Sequence, residues 1–316
     1  MTIAPLVVCI VGPTACHKTE VSIRLAHLLD GEIISADSVA IYRGLDIGSA
    51  KPSETEKDGI PHHMINVTDV TDTHFTVAEF RNLAQKEIDD VIRHGKLPIV
   101  VGGSGLYSDS IFSDMSFSTP SDSTIRTRLE SEYYADPGAV YDRLRSVDPD
   151  TASRLHINDS KRVIRALEVY ETSGRPFSTW NRDFSLIQNR GEKYHVLRYG
   201  LNMDRALLYE RINRRVDRMF EAGLKEEAYA LFEKGYTREY PALQSIGYAQ
   251  LYDAYQGLIT LDEAKNQIKQ ATRRFAKRQL TWFRRNTETK WFFLDHYQSI
   301  EEVVSTIKED IIRYDG

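Results

Sequence analysis

A doubly wound parallel α/β sheet carrying an inserted helical subdomain is the fold this sequence predicts, and three observations carry that expectation. Apolar runs bounded by turn residues recur at Leu6–Val11, 32–35, 97–101, 195–201 and 291–294. Helical periodicity fills the intervals, which is the alternation of a parallel sheet with crossover helices. Between residues 117 and 189 the strands stop and the chain turns charged and helix-like, punctuated by Pro120, Pro137 and Pro149.

The first strand runs straight into a loop. Residues 7–19 read VVCIVGPTACHKT, which matches the P-loop pattern G-x-x-x-x-G-K-[ST] at all but one station. That pattern works because backbone N–H groups wrap a di- or triphosphate while the Lys reaches its outer oxygens and the hydroxyl meets Mg²⁺. Gly12, Lys18 and Thr19 are in place, but His17 stands where a second glycine normally relieves crowding as the chain enters the helix. An ordinary strand–turn–helix with an incidental Lys-Thr pair is the plain alternative. A helix is expected over Lys18–Leu29, with Val21, Leu25 and Leu28 on one face. Residues 76–93 repeat that spacing before Gly95 stops them, and the last fifteen residues predict an amphipathic helix.

Composition narrows the class. With 316 residues, 41% apolar and 28% charged, the chain can bury one large core and a smaller second one. Residues 1–116 and 190–316 are assigned to a P-loop α/β core with C-terminal helices, and 117–189 to the helical insertion. The apolar run at 3–11 is too short to span a bilayer and leads directly into the loop, so no membrane association and a cytoplasmic location are expected. The two cysteines, Cys9 and Cys16, supply neither a disulfide framework nor metal-ligand spacing. A net charge of −5 argues against a generally basic coat for nucleic acid while leaving room for a local basic groove. Residues 264–287 hold eight Lys and Arg and no acidic residue, with Ile268, Ala271, Phe275 and Trp282 on a separate apolar face. Such a stripe suits a polyanion, and a merely solvated basic face explains it equally well.

Chemistry is expected at the carboxyl edge of the sheet, where open α/β folds bind ligands. The second strand ends in Ser35-Ala36-Asp37-Ser38, and Asp37 could hold Mg²⁺, act as a general base or cap the next turn. The third run ends in Gly102-Gly103-Ser104 without the acidic residue that helps hold metal in nucleotide hydrolases, which speaks against ATP hydrolysis. Ser104 there can donate to phosphate or substrate. His62 and His63 are adjacent and point to opposite sides of an extended chain, so zinc is not expected.

Taken together, GPTACHKT, ISADSVAIYRGLDIGSAKP, GIPHHMINV, VVGGSGLY, NDSKRVIRALEVYETSG, LYERINRRVDRMFEAGL, SIGYAQLYDAYQG and RRFAKRQLTWFR strongly resemble the tRNA dimethylallyltransferase family, also called tRNA isopentenyltransferase. The blocks occur in the family's order over nearly the whole chain. The resemblance implies transfer of a dimethylallyl group from dimethylallyl diphosphate to the exocyclic N6 of the adenosine adjacent to the anticodon, with release of pyrophosphate. It implies a diphosphate site formed by Gly12, Thr14, Ala15, Cys16, His17, Lys18, Thr19 and Arg211, with Thr19 on Mg²⁺ as the cofactor. It places Asp37 as the base, with Ser104 and Lys18 beside it in the catalytic set. A tRNA anticodon stem-loop is the implied partner, contacted by Asp37, Ser38, Val39, Ala40 and Ser104 and by Arg126, Lys161, Arg162 and Arg165 of the insertion. A monomer is expected.

The sequence departs from the family where His17 replaces Gly, Ala40 replaces a common Gln, Ser104 replaces Thr and Ala249 replaces a common Lys. His17 bears most on catalysis, because its side chain could strain the turn or obstruct the phosphate, or offer an extra donor when protonated. Two other functions remain open at this point: a P-loop small-metabolite kinase, and a non-catalytic tRNA-binding descendant.

Overall fold

The computed structural model describes residues 4–113, 122–180 and 193–315. It divides into two compact units, Met1–Ser113 with Ile187–Gly316, and Asp114–Leu186. The insertion limits read from the sequence, 117 and 189, and Pro120 lie outside the described residues.

In the first unit the order is β1 (Leu6–Val11), α1 (Lys18–Leu29), β2 (Gly31–Ser35), α2 (Glu54–Lys57), β3 (His62–His63), α3 (Val77–Arg93), β4 (Leu97–Gly102) and α4 (Gly105–Phe112). Among the described residues β1, β2, β3 and β4 join two later strands, β5 (His195–Asn202) and β6 (Lys290–Phe293), in one sheet of order β3-β2-β4-β1-β5-β6. Every pairing is parallel. β1 shows why the sheet is doubly wound. Its side chains alternate, so Val7, Cys9 and Val11 enter one buried cluster while Val8 and Ile10 enter the other on the opposite face.

Helices cover both faces. α1 buries Val21, Leu25 and Ala26, but Leu28 is 50% exposed, so the apolar stripe on α1 is narrower than its spacing suggests. α3 begins with a reciprocal capping box between Thr76 and Glu79, which satisfies two backbone donors at its start. The two-residue β3 was invisible in the sequence as a strand. It pairs at the sheet edge, where His63 bridges Glu32 at 2.7 Å and Glu87 at 2.9 Å, while His62 meets the Ile60 carbonyl at 2.8 Å. The two imidazoles therefore have separate partners.

In the second unit α5 (Ser123–Ala135), α6 (Pro137–Val147), α7 (Pro149–Arg154), α8 (Ser160–Ser173) and α9 (Phe177–Trp180) follow in order. Pro137 and Pro149 each open a helix, where a missing N–H costs nothing. Leu129, Leu144, Val163 and Leu167 form the centre of this unit's own core.

The chain then forms α10 (Arg205–Glu221), α11 (Leu224–Glu233), α12 (Tyr248–Tyr255), α13 (Leu261–Phe283) and α14 (Ile300–Asp315) around the sheet. α14 is the expected terminal amphipathic helix, burying Val303, Val304, Ile307 and Ile311. Under α13, buried Arg198 of β5 pairs with Asp109 of α4 at 2.6 Å, and the Trp282 indole donates to the same carboxylate at 2.6 Å. This pairing fixes α4, and with it the loop that α4 follows. Glu227 of α11 accepts the N–H groups of Asp46, Ile47 and Gly48 at 2.9, 2.8 and 3.1 Å and the Tyr248 hydroxyl at 2.5 Å, bracing the glycine-containing loop that follows β2. No helix among the described residues is long and apolar enough to cross a membrane.

Candidate active site

Strand register gathers three loops at one edge. Val11 of β1 lies beside Gly102 of β4, and Ser35 of β2 beside Val101, so the chain after each strand leaves from the same level. The Ala36 N–H donates to the Val101 carbonyl at 2.7 Å, holding the approach to Asp37 against β4.

The phosphate loop is built for close approach. Gly12 has φ +146°, and a Cβ on it would stand 2.3 Å from the Leu201 carbonyl oxygen, so only glycine fits there. Ala15 and His17 are left-handed, with φ of +62° and +52°. His17 thus occupies a conformation that costs an L-residue about 1–2 kcal/mol, although His enters it more readily than most. Its Nδ1 lies 2.7 Å from Glu20 Oε2, and Glu20 in turn pairs with Arg24 at 2.8 Å. His17 is the N-cap of α1 and makes no side-chain cap bond, so the helix presents uncapped N–H groups and the positive end of its dipole. That is an anion site by construction.

Three cations surround it. The half-buried Lys18 donates to the Pro13 carbonyl at 2.7 Å, and burial lowers its pKa to about 8, with Arg215 adding to the effect and Asp37 opposing it. Arg211 of α10 donates through Nε to the Ala15 carbonyl at 3.0 Å. Arg215, one helical turn further along, was not singled out from the sequence. Burial lowers its pKa, and Asp37 is the main charge acting against that. None of Lys18, Arg211 and Arg215 has an ion-pair partner among the described residues. The i,i+4 repeat of Arg in LYERINRRV was the available signal, because it puts two guanidinium groups on one helix face.

The remaining loop residues divide by role. The Thr14 N–H is taken by Gln279 Oε1 at 2.9 Å, so it is not free to meet phosphate. Cys16 is buried, and burial raises its thiol to about 12, which keeps it neutral as a space-filler. Thr19 is exposed on the first turn of α1.

Asp37 Oδ1 accepts the Val39 and Ala40 N–H groups at 2.8 and 3.1 Å. Its Oδ2 has no hydrogen-bond partner among the described residues, so one oxygen is anchored while the other stays available. Ser104 Oγ accepts the Ser38 N–H at 3.0 Å and donates to the Ser38 hydroxyl at 3.0 Å, joining the loop after β4 to the Asp37 turn. Asp37, Ser38 and Val39 are half-exposed, whereas Ala40 is buried.

Four of the expected tRNA contacts belong to the second unit. Glu168 of α8, 0% exposed, has Arg165 at 2.9 Å and Arg126 at 3.7 Å, so both arginines neutralise a buried carboxylate. Lys161 and Arg162 are exposed on α8, Arg162 pairing with Asp159 at 3.2 Å. On α13 the outer cations separate into two groups: Lys265 and Lys269 bind Asp217 at 2.8 and 2.7 Å, whereas Arg274, Lys277 and Arg278 are exposed without a carboxylate partner among the described residues.

A family model described as IPP transferase matches residues 40–286. It begins after the phosphate loop, so the match does not depend on the departure at His17. The chain is 46% identical over 303 residues to a tRNA dimethylallyltransferase of Alkaliphilus oremlandii, covering 95% of each sequence. It resembles the structure of the full-length tRNA isopentenylpyrophosphate transferase from Bacillus halodurans with a TM-score of 0.72 and 39% identity, over 98% of this chain and 96% of that one. It also resembles the structure of a eukaryotic dimethylallyltransferase acting on tRNA, with a TM-score of 0.74 and 31% identity over 89% of this chain and 70% of that one.

Proposed function

The chain belongs to the IPP transferase family, and from that premise we propose that it moves the dimethylallyl group of dimethylallyl diphosphate to N6 of the adenosine adjacent to the anticodon of tRNA, releasing pyrophosphate. The observation that carries the reading is the meeting of an uncapped helix start and three unpaired cations with the half-free carboxylate of Asp37.

The diphosphate lies at the start of α1, held by Lys18, Arg211 and Arg215. As the allylic C–O bond breaks, its electron pair goes to the pyrophosphate oxygen, and these cations stabilise the charge that develops there. The N6 lone pair forms the new C–N bond, and the proton leaves N6 for Asp37 Oδ2. Adenine nitrogen is a weak nucleophile because its lone pair is delocalised, which is why a positioned base matters. Ser104, fixed to Ser38, keeps the base turn and the diphosphate side in register.

Among the described residues no three His, Cys, Asp or Glu side chains come together to hold a metal. Mg²⁺ arriving with the diphosphate fits nonetheless, since it retains waters and takes one or two protein oxygens together with phosphate oxygens, and Thr19, exposed on the first turn of α1, carries a hydroxyl that would hold it. When bound, the ion neutralises the leaving group.

The target base must leave the anticodon stack to reach Asp37, with Ser38 and Val39 beside its path. Lys161 and Arg162 of the insertion take RNA phosphates, while Arg126 and Arg165 are committed to the buried Glu168, and the exposed cations of α13 extend the phosphate-binding role. The protein acts as a cytoplasmic monomer. The kinase and non-catalytic alternatives are not favoured, because the relatives are transferases and β4 ends without a carboxylate.

Incubating the protein with unmodified tRNA, dimethylallyl diphosphate and Mg²⁺, then digesting to nucleosides for mass spectrometry, tests this directly. A prenyl mass gain on adenosine is expected; unaltered adenosine alongside intact tRNA binding would leave the non-catalytic reading in its place.

A further inference from the structure

Gln279 is a polar side chain in a buried position, 4% exposed, on the inner face of α13. Its Oε1 accepts the Thr14 N–H of the phosphate loop at 2.9 Å, and its Nε2 donates to the Gly103 carbonyl at 2.8 Å. One amide therefore spans the loop that grips the diphosphate and the loop that carries Ser104. The fit is tight, since a Cβ on Gly103 would come within 2.4 Å of Nε2. The chemistry also singles out the residue type. A carboxylate could accept from Thr14 but would set an oxygen against the Gly103 carbonyl, and an aliphatic side chain would leave the half-buried Thr14 N–H and the buried Gly103 carbonyl unmet.

We propose that Gln279 is a positioning residue of the transferase, registering the phosphate loop against the Ser104 loop and, through α13, coupling RNA occupancy to diphosphate binding. The second half follows from the helix itself. Arg278 adjoins Gln279 in the chain and, with Arg274 and Lys277, faces solvent, so one rigid element has the active-site loops on one side and an RNA-seeking surface on the other. A shift of α13 that improves phosphate contacts outside moves the amide inside. Such linkage is reciprocal: pyrophosphate tightens tRNA binding by the same factor that tRNA tightens pyrophosphate binding.

This inference rests on the transferase reading, and the experiment separates the two. Gln279→Leu, Gln279→Glu and Gly103→Ala are compared with wild type, the last disturbing the amide from its partner's side should either Gln279 variant fail to fold. The KM for dimethylallyl diphosphate at saturating tRNA should rise about tenfold in Gln279→Leu and less in the other two, while tRNA affinity without diphosphate stays within about twofold. Separately, tRNA binding is titrated with and without Mg²⁺ and inorganic pyrophosphate. The ratio of the two affinities should exceed one in wild type and collapse to about one in the variants. A purely structural role would lower the thermal midpoint and the active fraction with KM and the ratio unchanged, and that result overturns the proposal. Absence of transfer by wild type counts instead against the transferase reading.

Discussion

α10 and α13 are both strongly basic, and they touch: Lys265 and Lys269 of α13 reach Asp217 of α10, and Arg273 donates to Asn213 at 2.5 Å. Yet their cations have opposite meanings. Arg211 and Arg215 of α10 are half-buried, unpaired and held below their ordinary pKa by burial, so the fold keeps charge where desolvating it is costly. Arg274, Lys277 and Arg278 of α13 are in water, where a cation costs little to hold. A buried cation without a partner points to an anionic ligand at that spot, while an exposed one becomes informative only in a row.

The largest expected effect tests the inward set. Arg215→Ala or Lys18→Ala should lower kcat/KM for dimethylallyl diphosphate by about 10²–10³-fold, with tRNA affinity unchanged in filter binding. Equal losses from the outward residues would erase the distinction. Asp37→Ala should cost about 10²–10⁴-fold in transfer while diphosphate and tRNA still bind, which separates base from grip. The outward set is smaller in effect. A combined Arg274→Ala, Lys277→Ala, Arg278→Ala variant should flatten the salt dependence of tRNA affinity by up to about three in log–log slope, with diphosphate affinity measured without tRNA unmoved.

A pH series probes Lys18 more gently. Its ammonium is lost as pH rises through about 8, and a bound diphosphate favours the charged form. Binding above that pH therefore takes up a proton, so KM should be level near neutrality and climb by up to about tenfold per pH unit beyond 8. Lys18→Arg should remove the climb. His17→Gly should be smallest of all, changing unfolding free energy in urea by less than about 1 kcal/mol. Relief of the left-handed backbone is offset by added chain entropy and loss of the contact with Glu20.

Much of the frame was legible because β-strand burial writes itself as apolar runs, and the boundaries at Leu6–Val11 agree with that rule. β3 was not, since two histidines, His63 held by Glu32 and Glu87 and His62 by the Ile60 carbonyl, carry no apolar signal. Lys18 could be read from the phosphate-loop pattern and Asp37 from the end of the second strand. Gln279 escaped notice because a glutamine in a helix full of charge breaks no pattern, and only the fold reveals that it faces inward. Arg165 and Glu168 stand three apart on α8, so their pairing could have been read, but the burial that makes Glu168 demand it could not.

The brace at Glu227 has one further consequence. Three successive amides converging on an anion form a nest, a device akin to the uncapped start of α1. In the loop after β2 the chain fills its nest with its own carboxylate. With Glu227 seated there, the amides of Asp46, Ile47 and Gly48 are already engaged, whereas the start of α1 keeps its N–H groups uncapped.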